Sequence, residues 1–398
     1  MRRGLAVSVL LLLGMSSAAH AKTLEELLVE KGVITKGEAA AVAGSAPSKV
    51  YWNQGTRVDV PDKGFTAKVT TMIQTRYSFT DADEDAGQNN TSSFDVHRAR
   101  LIVSGTALNR EFAYMLSSDF IGADDTESGS APALRDAYIQ WQPFEETQGL
   151  RMGQFKTAIS RQFNMDQQAL QFADRSEVSE YFTLGRQEGA LVFSDFADGV
   201  VSASAGVFNG NSTGEGENLP GVDTRQTGVA SVRVNPVGEM NVYEEGDIDW
   251  SEEVAVSLGA AYAYEDAQQE GVDVSNNNLN VDGNVKYLGW SLQSEFFDRD
   301  GTQVDSRGFY AQTGYFLVPK KMEFAARYGH IDCNHGKSAG ICSGNDAVAE
   351  AGATINYYFW RHSLKAQLGY GFLTLDPAAG GSPEAHSNRY LFQLSSYF

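Results

Sequence analysis

Phe65-Thr-Ala-Lys-Val-Thr-Thr-Met-Ile-Gln-Thr-Arg-Tyr-Ser-Phe79 alternates along its whole length. Phe65, Ala67, Val69, Ile73, Tyr77 and Phe79 share one face with two threonines, while Lys68, Thr70, Gln74 and Arg76 share the other. A period of two marks a strand, and this run is longer than an ordinary globular strand. A tilted strand that crosses a bilayer with some overhang has this length and this two-faced chemistry.

The pattern recurs to the C-terminus. Strands are expected near residues 65–79, 94–107, 111–120, 134–141, 150–155, 185–194, 200–209 and 225–234, then near 253–264, 279–287, 290–297, 307–316, 322–328, 348–359, 362–372 and 387–398. That makes sixteen, an all-β antiparallel transmembrane barrel. Short turns at Asn109-Arg110, Asp195 to Gly199, Leu288-Gly289, Leu317 to Lys321 and Trp360-Arg361 alternate with long polar connections, as the two ends of such a barrel require. The stretch from Asn235 to Glu252 breaks the rule: a short turn is due there, yet it is long and acidic. The last strand alternates Tyr390, Phe392, Leu394, Ser396 and ends on Phe398, like the insertion signal of bacterial outer-membrane proteins.

The first residues support export. Met1-Arg-Arg3, an apolar run from Leu5 to Met15, and Ala19-His20-Ala21 describe a secretory signal peptide over residues 1–21. Residues 22–64 read as a short helical periplasmic segment and linker. Thr23 with Glu26, and Thr35 with Glu38, have capping-box spacing, and Gly32 stands at a C-cap position. The barrel then occupies residues 65–398. No stretch after the leader approaches the roughly 18 to 20 apolar residues of a spanning helix. A formal net charge of −20 argues against nucleic acid as a partner. Cys333 and Cys342, nine positions apart in a polar loop of an exported chain, are expected to form a disulfide. The rival reading, a metal site with His330 and His335, fits no zinc spacing, so no metal and no cofactor are expected.

A barrel of sixteen strands is too wide for side chains to fill, so its lumen is the functional surface. Arg98 and Arg100 share the polar face of their strand, as Lys68 and Arg76 do on theirs, and Arg151 belongs with them. A long polar excursion of about residues 156–184 carries Lys156, Arg161 and Arg175. A loop of that length within a run of strands is usually functional, and we expect it to fold into the bore and narrow it. Fixed guanidinium and ammonium groups would then form an anion path. The competing reading is plain ion pairing with Asp119, Asp136, Asp166 and Asp174.

Phe94-Asp-Val-His-Arg-Ala-Arg-Leu101, Leu134-Arg-Asp-Ala-Tyr138, Gly153-Gln-Phe-Lys156, and Gly185-Arg186 with Gly189 resemble the phosphate-selective porin O/P family. The resemblance implies a trimeric outer-membrane porin whose third external loop folds inward, passing small hydrophilic solutes and anions such as phosphate, in contact with outer-membrane lipid and lipopolysaccharide. Selective members carry lysines at the constriction. Here Thr157-Ala-Ile-Ser-Arg-Gln-Phe-Asn164 stands there instead, with Arg161 the one cation.

Two other classes compete with a passive porin. A barrel that anchors or sheathes a partner would need a stoichiometric companion. A barrel enzyme would need a serine and histidine constellation. Gly210-Asn-Ser-Thr-Gly214 has the string of a nucleophile elbow but no helix after it, and Asp81-Ala-Asp-Glu-Asp85 lacks the glycine and glutamate of a calcium loop. No catalysis is expected.

Overall fold

The computed structural model describes residues 28–29, 31–33, 35, 37–38, 48–82, 89–121, 133–144, 147–210, 222–269, 272–302, 304–334, 340–378 and 384–398. Two units separate, Met1–Pro47 and Ser48–Phe398. In the first, Val33 N–H donates to Leu28 O at 2.9 Å and Gly32 N–H to Val29 O at 3.0 Å. With Gly32 at φ 69° this is a glycine-terminated helix end. The second capping box is present. Thr35 N–H donates to Glu38 Oε2 at 2.7 Å, and Glu38 N–H donates to Thr35 Oγ1 at 3.2 Å. The leader, the box at Thr23, the Gly210–Gly214 string beyond Gly210, and most of the Asp81–Asp85 stretch lie outside the described residues.

In the second unit, β1 (Lys49–Trp52) and β2 (Thr56–Val60) form a hairpin. Then follow β3 (Phe65–Ala82), β4 (Thr91–Ala107), β5 (Phe112–Asp119), β6 (Ala133–Trp141), β7 (Gln148–Lys156), β8 (Arg186–Phe196), β9 (Val201–Phe208) and β10 (Val222–Val237). The circuit continues through β11 (Ala255–Gln269), β12 (Val272–Tyr287), β13 (Trp290–Gly301), β14 (Asp305–Val318), β15 (Met322–Cys333), β16 (Asn345–Trp360), β17 (Leu364–Pro377) and β18 (Ala385–Tyr397). Each strand from β3 onward pairs antiparallel with the next, and β18 pairs with β3, closing a barrel of 16 strands. The final residue completes the seam: Thr71 and Phe398 exchange backbone bonds of 2.6 and 3.0 Å. Closure removes the free edges that lipid would not tolerate.

The two faces are inverted relative to a water-soluble protein. Along β3, Thr70, Met72, Gln74 and Arg76 are buried while Val69, Ile73 and Tyr77 are exposed. Buried Gln293 and Glu295 alternate in the same way with exposed Leu292 and Phe296 on β13. Apolar side chains face outward to lipid and polar ones face inward, as an aqueous barrel demands. Exposed Trp141, Trp290 and Trp360 stand beside the short turns, where indole rings suit the bilayer interface. At the tightest turn, Leu288 (φ 46°) and Gly289 (φ 79°) both adopt positive φ, the geometry a two-residue hairpin needs.

Three stretches differ from expectation. Residues 49–60, assigned to the linker, are a hairpin whose second strand pairs with the start of β3, Arg57 opposite Lys68. Within residues 265–278, expected as a long external loop, 265–269 and 272–278 are the paired ends of β11 and β12. The third is the connection 238–254. It turns inward, burying Glu245, Asp247 and Ile248 at 1%, 2% and 0% exposure. Ile248 packs with Phe316 and Tyr358, and Asp247 accepts from the Gly289 N–H at 2.8 Å.

Cys333 and Cys342 are disulfide-bonded, with Cα atoms 5.5 Å apart. Cys342 packs in a cluster with Val178, Phe182, Phe297 and Val348, so the bridge pins an external loop onto an internal segment. A closed loop this short is worth about 2–3 kcal/mol, and the effect should be local. Cys342→Ser should speed nicking between the two cysteines by an external protease, while lowering the temperature at which the folded band is lost on a denaturing gel by only a few degrees.

Candidate pore constriction

The connection between β7 and β8, residues 157–185, leaves the wall at a neck where Thr157 N–H donates to Gly185 O at 3.1 Å. It then folds into two short helices, α1 (Arg161–Asn164) and α2 (Glu177–Phe182). Ser160 Oγ accepts from Phe163 N–H at 3.1 Å and Ser176 Oγ from Ser179 N–H at 2.9 Å, capping each. The free N–H groups of Arg161 and Gln162 point at Glu295 on β13, 3.0 and 2.7 Å away. A carboxylate at a helix start is well placed.

From there the loop follows the wall. The Arg161 guanidinium bonds Asp282 on β12 at 2.6 Å and Ser257 O on β11 at 3.1 Å. Gln171 bonds Gln312 on β14 at 2.8 Å and Glu323 on β15 at 2.5 Å, and its carbonyl accepts from Asn356 on β16 and Gln367 on β17, both at 2.9 Å. Lys365 Nζ donates to Leu170 O at 2.6 Å. Asp174 then takes both Arg76 Nη atoms of β3, at 3.0 and 2.7 Å, and Arg389 of β18 at 2.7 Å. The loop is thus bonded to every strand from β11 to β18 and to β3. Apolar contacts seat its ends: Ile159 and Leu184 pack with Phe155, Leu191 and Phe208, while Phe182 stacks on Phe297 at 5.1 Å. The freer side is the wall from β3 to β8, which the loop meets through Asp174, beside Arg76, His97 and Arg98, and through Met165, whose carbonyl accepts from Lys156.

Asp174 is the tightest anchor. Burial opposes its charge, but the His97 ring 3.6 Å away and the Arg76, Arg389 and Arg98 guanidiniums hold its carboxyl well below the usual carboxylate range. A depressed carboxylate contributes its full stability above its unfolded value near 3.9 and loses it only as pH falls through the lower folded value. The anchor therefore does not titrate from about pH 4 upward. Asp174→Asn takes the shared negative charge and one acceptor oxygen from three guanidiniums and should cost about 2–3 kcal/mol of loop attachment. The protection of residues 170–180 against hydrogen exchange, corrected for the intrinsic rate at each pH, should fall accordingly.

Residues 69–377 match the family described as phosphate-selective porin O and P. The chain belongs to this family. It is an outer-membrane porin, and family and fold point to a channel rather than to an enzyme. A protein of Aquifex aeolicus (strain VF5) with no assigned function is 25% identical over 433 residues, covering 99% of both chains. Among solved structures, the outer membrane channel DcaP of Acinetobacter baumannii superposes with a TM-score of 0.58 at 13% identity, over 84% of this chain and 98% of that one. OprB of Pseudomonas putida gives 0.59 at 13%, over 83% and 94%. The anion-selective porin from Comamonas acidovorans gives 0.55 at 13%, over 84% and 100%. At these identities the structures share a fold.

The porin distributes its expected basic residues in three ways. Arg161 and Arg175 are corrections to the expected open anion path: both are buried against the loop, at 1% and 5% exposure, and Arg161 borders a side cavity. Their forks satisfy backbone carbonyls: Val242 O of the connection 238–254 for Arg161, and Gln162 O and Phe163 O of the loop itself for Arg175. Arg76 and Arg98 surround Asp174, with Arg98 3.8 Å from it. Lys68, Arg100, Arg151 and Lys156 are half-buried on the free side. Arg100 pairs with Asp119 at 2.7 Å. Arg151 lies 4.4 Å over the Tyr138 ring and bonds Gln140. Lys156 Nζ donates to Met165 O at 2.8 Å and stands 3.8 Å from Asp166, whose side chain is 66% exposed.

Three further groups belong to this face. Arg57 is the cross-strand partner of Lys68, concealed from sequence reasoning by the assignment of its segment to a linker. Arg186 is the partner of Lys156 and bonds Asp136 at 3.1 and 3.2 Å. Its signal was the Gly185-Arg186 pair itself. Arg233 shares Asp282 with Arg161, at 2.8 Å, on the wall of a side cavity of about 410 Å³ that Arg151 and Lys156 also line.

Proposed function

We propose that this porin passes small anions, phosphate among them, along the basic wall between β2 and β8, past Asp166 on the loop. The observation that carries this is the pair Arg57 and Lys68. Like charges directly opposite on neighbouring strands destabilise a sheet, and this pair has no carboxylate bridging it among the described residues. Lys156 opposite Arg186 repeats the arrangement, there partly balanced by Asp136 and Asp166. Such excess positive charge, only partly offset by Asp166, lowers the barrier to anions and raises it to cations. The family's description as phosphate-selective and the shared fold of the Comamonas acidovorans anion-selective porin support the same reading.

The test is swelling of liposomes that contain the purified porin. With solutes of matched size, an organic anion should enter at least about three times faster than an organic cation. Equal rates would remove the anion preference and leave a general diffusion pore. The functional unit is a homotrimer in this reading, supported by the family resemblance, and a trimer mass in mild detergent tests it. Residues 1–21 act as the export signal and residues 22–47 as a periplasmic segment. Their basic start, apolar run and paired capping boxes support both assignments.

A further inference from the structure

The infolded connection 238–254 enters from the end of the barrel that carries the short turns and meets loop 157–185 inside the lumen. One side chain of the infold binds the loop at two points. Glu245, 1% exposed, accepts from Gln162 Nε2 at 2.6 Å, from the Gln171 N–H at 2.5 Å and from Gln312 Nε2 of β14 at 2.7 Å. Its own N–H donates to Ala169 O at 3.3 Å. Gln162 is in α1 and Gln171 lies past the following turn, so a single carboxylate ties two separated points of the loop to each other and to the wall.

The rest of the infold is shaped to hold that carboxylate in place. Arg161 Nη1 donates to Val242 O at 3.1 Å. Glu244 faces His362 at 3.1 Å, and His362 Nδ1 in turn lies 2.9 Å from Gln168 O of the loop. The backbone at Gly246 runs so close to the wall that a Cβ there would come within 2.6 Å of Glu323 Oε1, the atom that also accepts from Gln171 Nε2. Asp247 fixes the far end, taking the Ser251 N–H and hydroxyl as well as the Gly289 N–H.

We propose that this infold is a brace that sets the position of the constriction loop, with Glu245 as its positioning residue. Glu245 touches no open lumen, so it acts on permeation through the loop alone. The proposal rests on the reading of loop 157–185 as the constriction. A loop held at several points is quiet; one freed at its middle samples wider openings on the time scale of single-channel recording.

The experiment compares single-channel currents of the full-length porin, Glu245→Ala, Glu245→Gln and a variant with the loop excised. Excision supplies the reference level for an unconstricted pore. Glu245→Ala should give open-channel current variance at least about threefold above wild type, with excursions toward that higher level. Glu245→Gln keeps an oxygen for the Gln171 N–H and Gln312 but turns an amide toward Gln162, whose own oxygen is held by Ser176 N–H at 3.0 Å. It should fold normally and show intermediate variance, carrying the test if the alanine variant fails to assemble. Quiet, wild-type currents in a folded variant would overturn the brace while leaving the constriction standing. An excised variant with unchanged conductance would overturn both.

Discussion

Replacing residues 160–182 by a short glycine linker raises the single-channel conductance about threefold or more, because a barrel of this strand number is wide and the loop occupies much of its bore. The barrel survives the deletion. Its wall contacts to the loop are mostly polar: Asp282, Glu295, Glu323 and Lys365 bond the loop now, and lumen water can take over those bonds. The apolar seat at Phe297 loses Val178 and Phe182, at about 1–2 kcal/mol each, while Ile159 and Leu184 stay on Phe155 and Phe208 and strand pairing around the circuit is untouched. The residual restriction comes from the brace at 238–254, so the increase stops short of an empty barrel. Conductance equal to wild type would mean that the loop does not limit flow.

Reversing three charges at once should have the second largest effect. Arg57→Glu, Lys68→Glu and Arg151→Glu change the free wall by six charge units, and none of the three side chains has a carboxylate partner among the described residues. The ratio of anion to cation permeability should fall about tenfold or more at low salt, and by less in concentrated salt, where the screening length shrinks to about 3 Å. Folding should be little affected, since the contact with the most to lose is the Arg151 stack on Tyr138, worth about 0.5–1 kcal/mol. Arg161→Met serves as the contrast. Its charge is buried and neutralised by Asp282, so its loss should disturb the loop and leave selectivity nearly unchanged.

What the sequence disclosed and what it hid follow from the same physics. Alternation between lipid and water is strong along Phe65–Phe79, and all sixteen barrel strands lie where it places them, to within a few residues at most boundaries. It weakens where both faces are polar. Asn276, Asn278 and Asn280 sit in β12 although asparagine disfavours strands; they are held by Glu265 and Glu295 from neighbouring strands. Residues 49–60 give little period to read, because the hairpin is short and lies beside a linker. The infold at 238–254 gave a signal, an overlong acidic turn on the wrong side, but its destination depends on partners scattered from Gln162 to His362. The charge count of the pore was legible only in part. Arginines on polar faces were found, but sequence spacing does not separate those that pair inside the loop, as Arg161 and Arg175 do, from those left facing the bore.

The central claim is that net positive charge lines the open path. The most direct test is the reversal potential of the purified porin in a planar bilayer under a tenfold potassium chloride gradient at low ionic strength, repeated with phosphate added. A potential displaced toward that of chloride is expected, with phosphate reducing the chloride current. A potential displaced toward that of potassium would contradict it, placing Asp166 and the luminal carboxylates in control of the path.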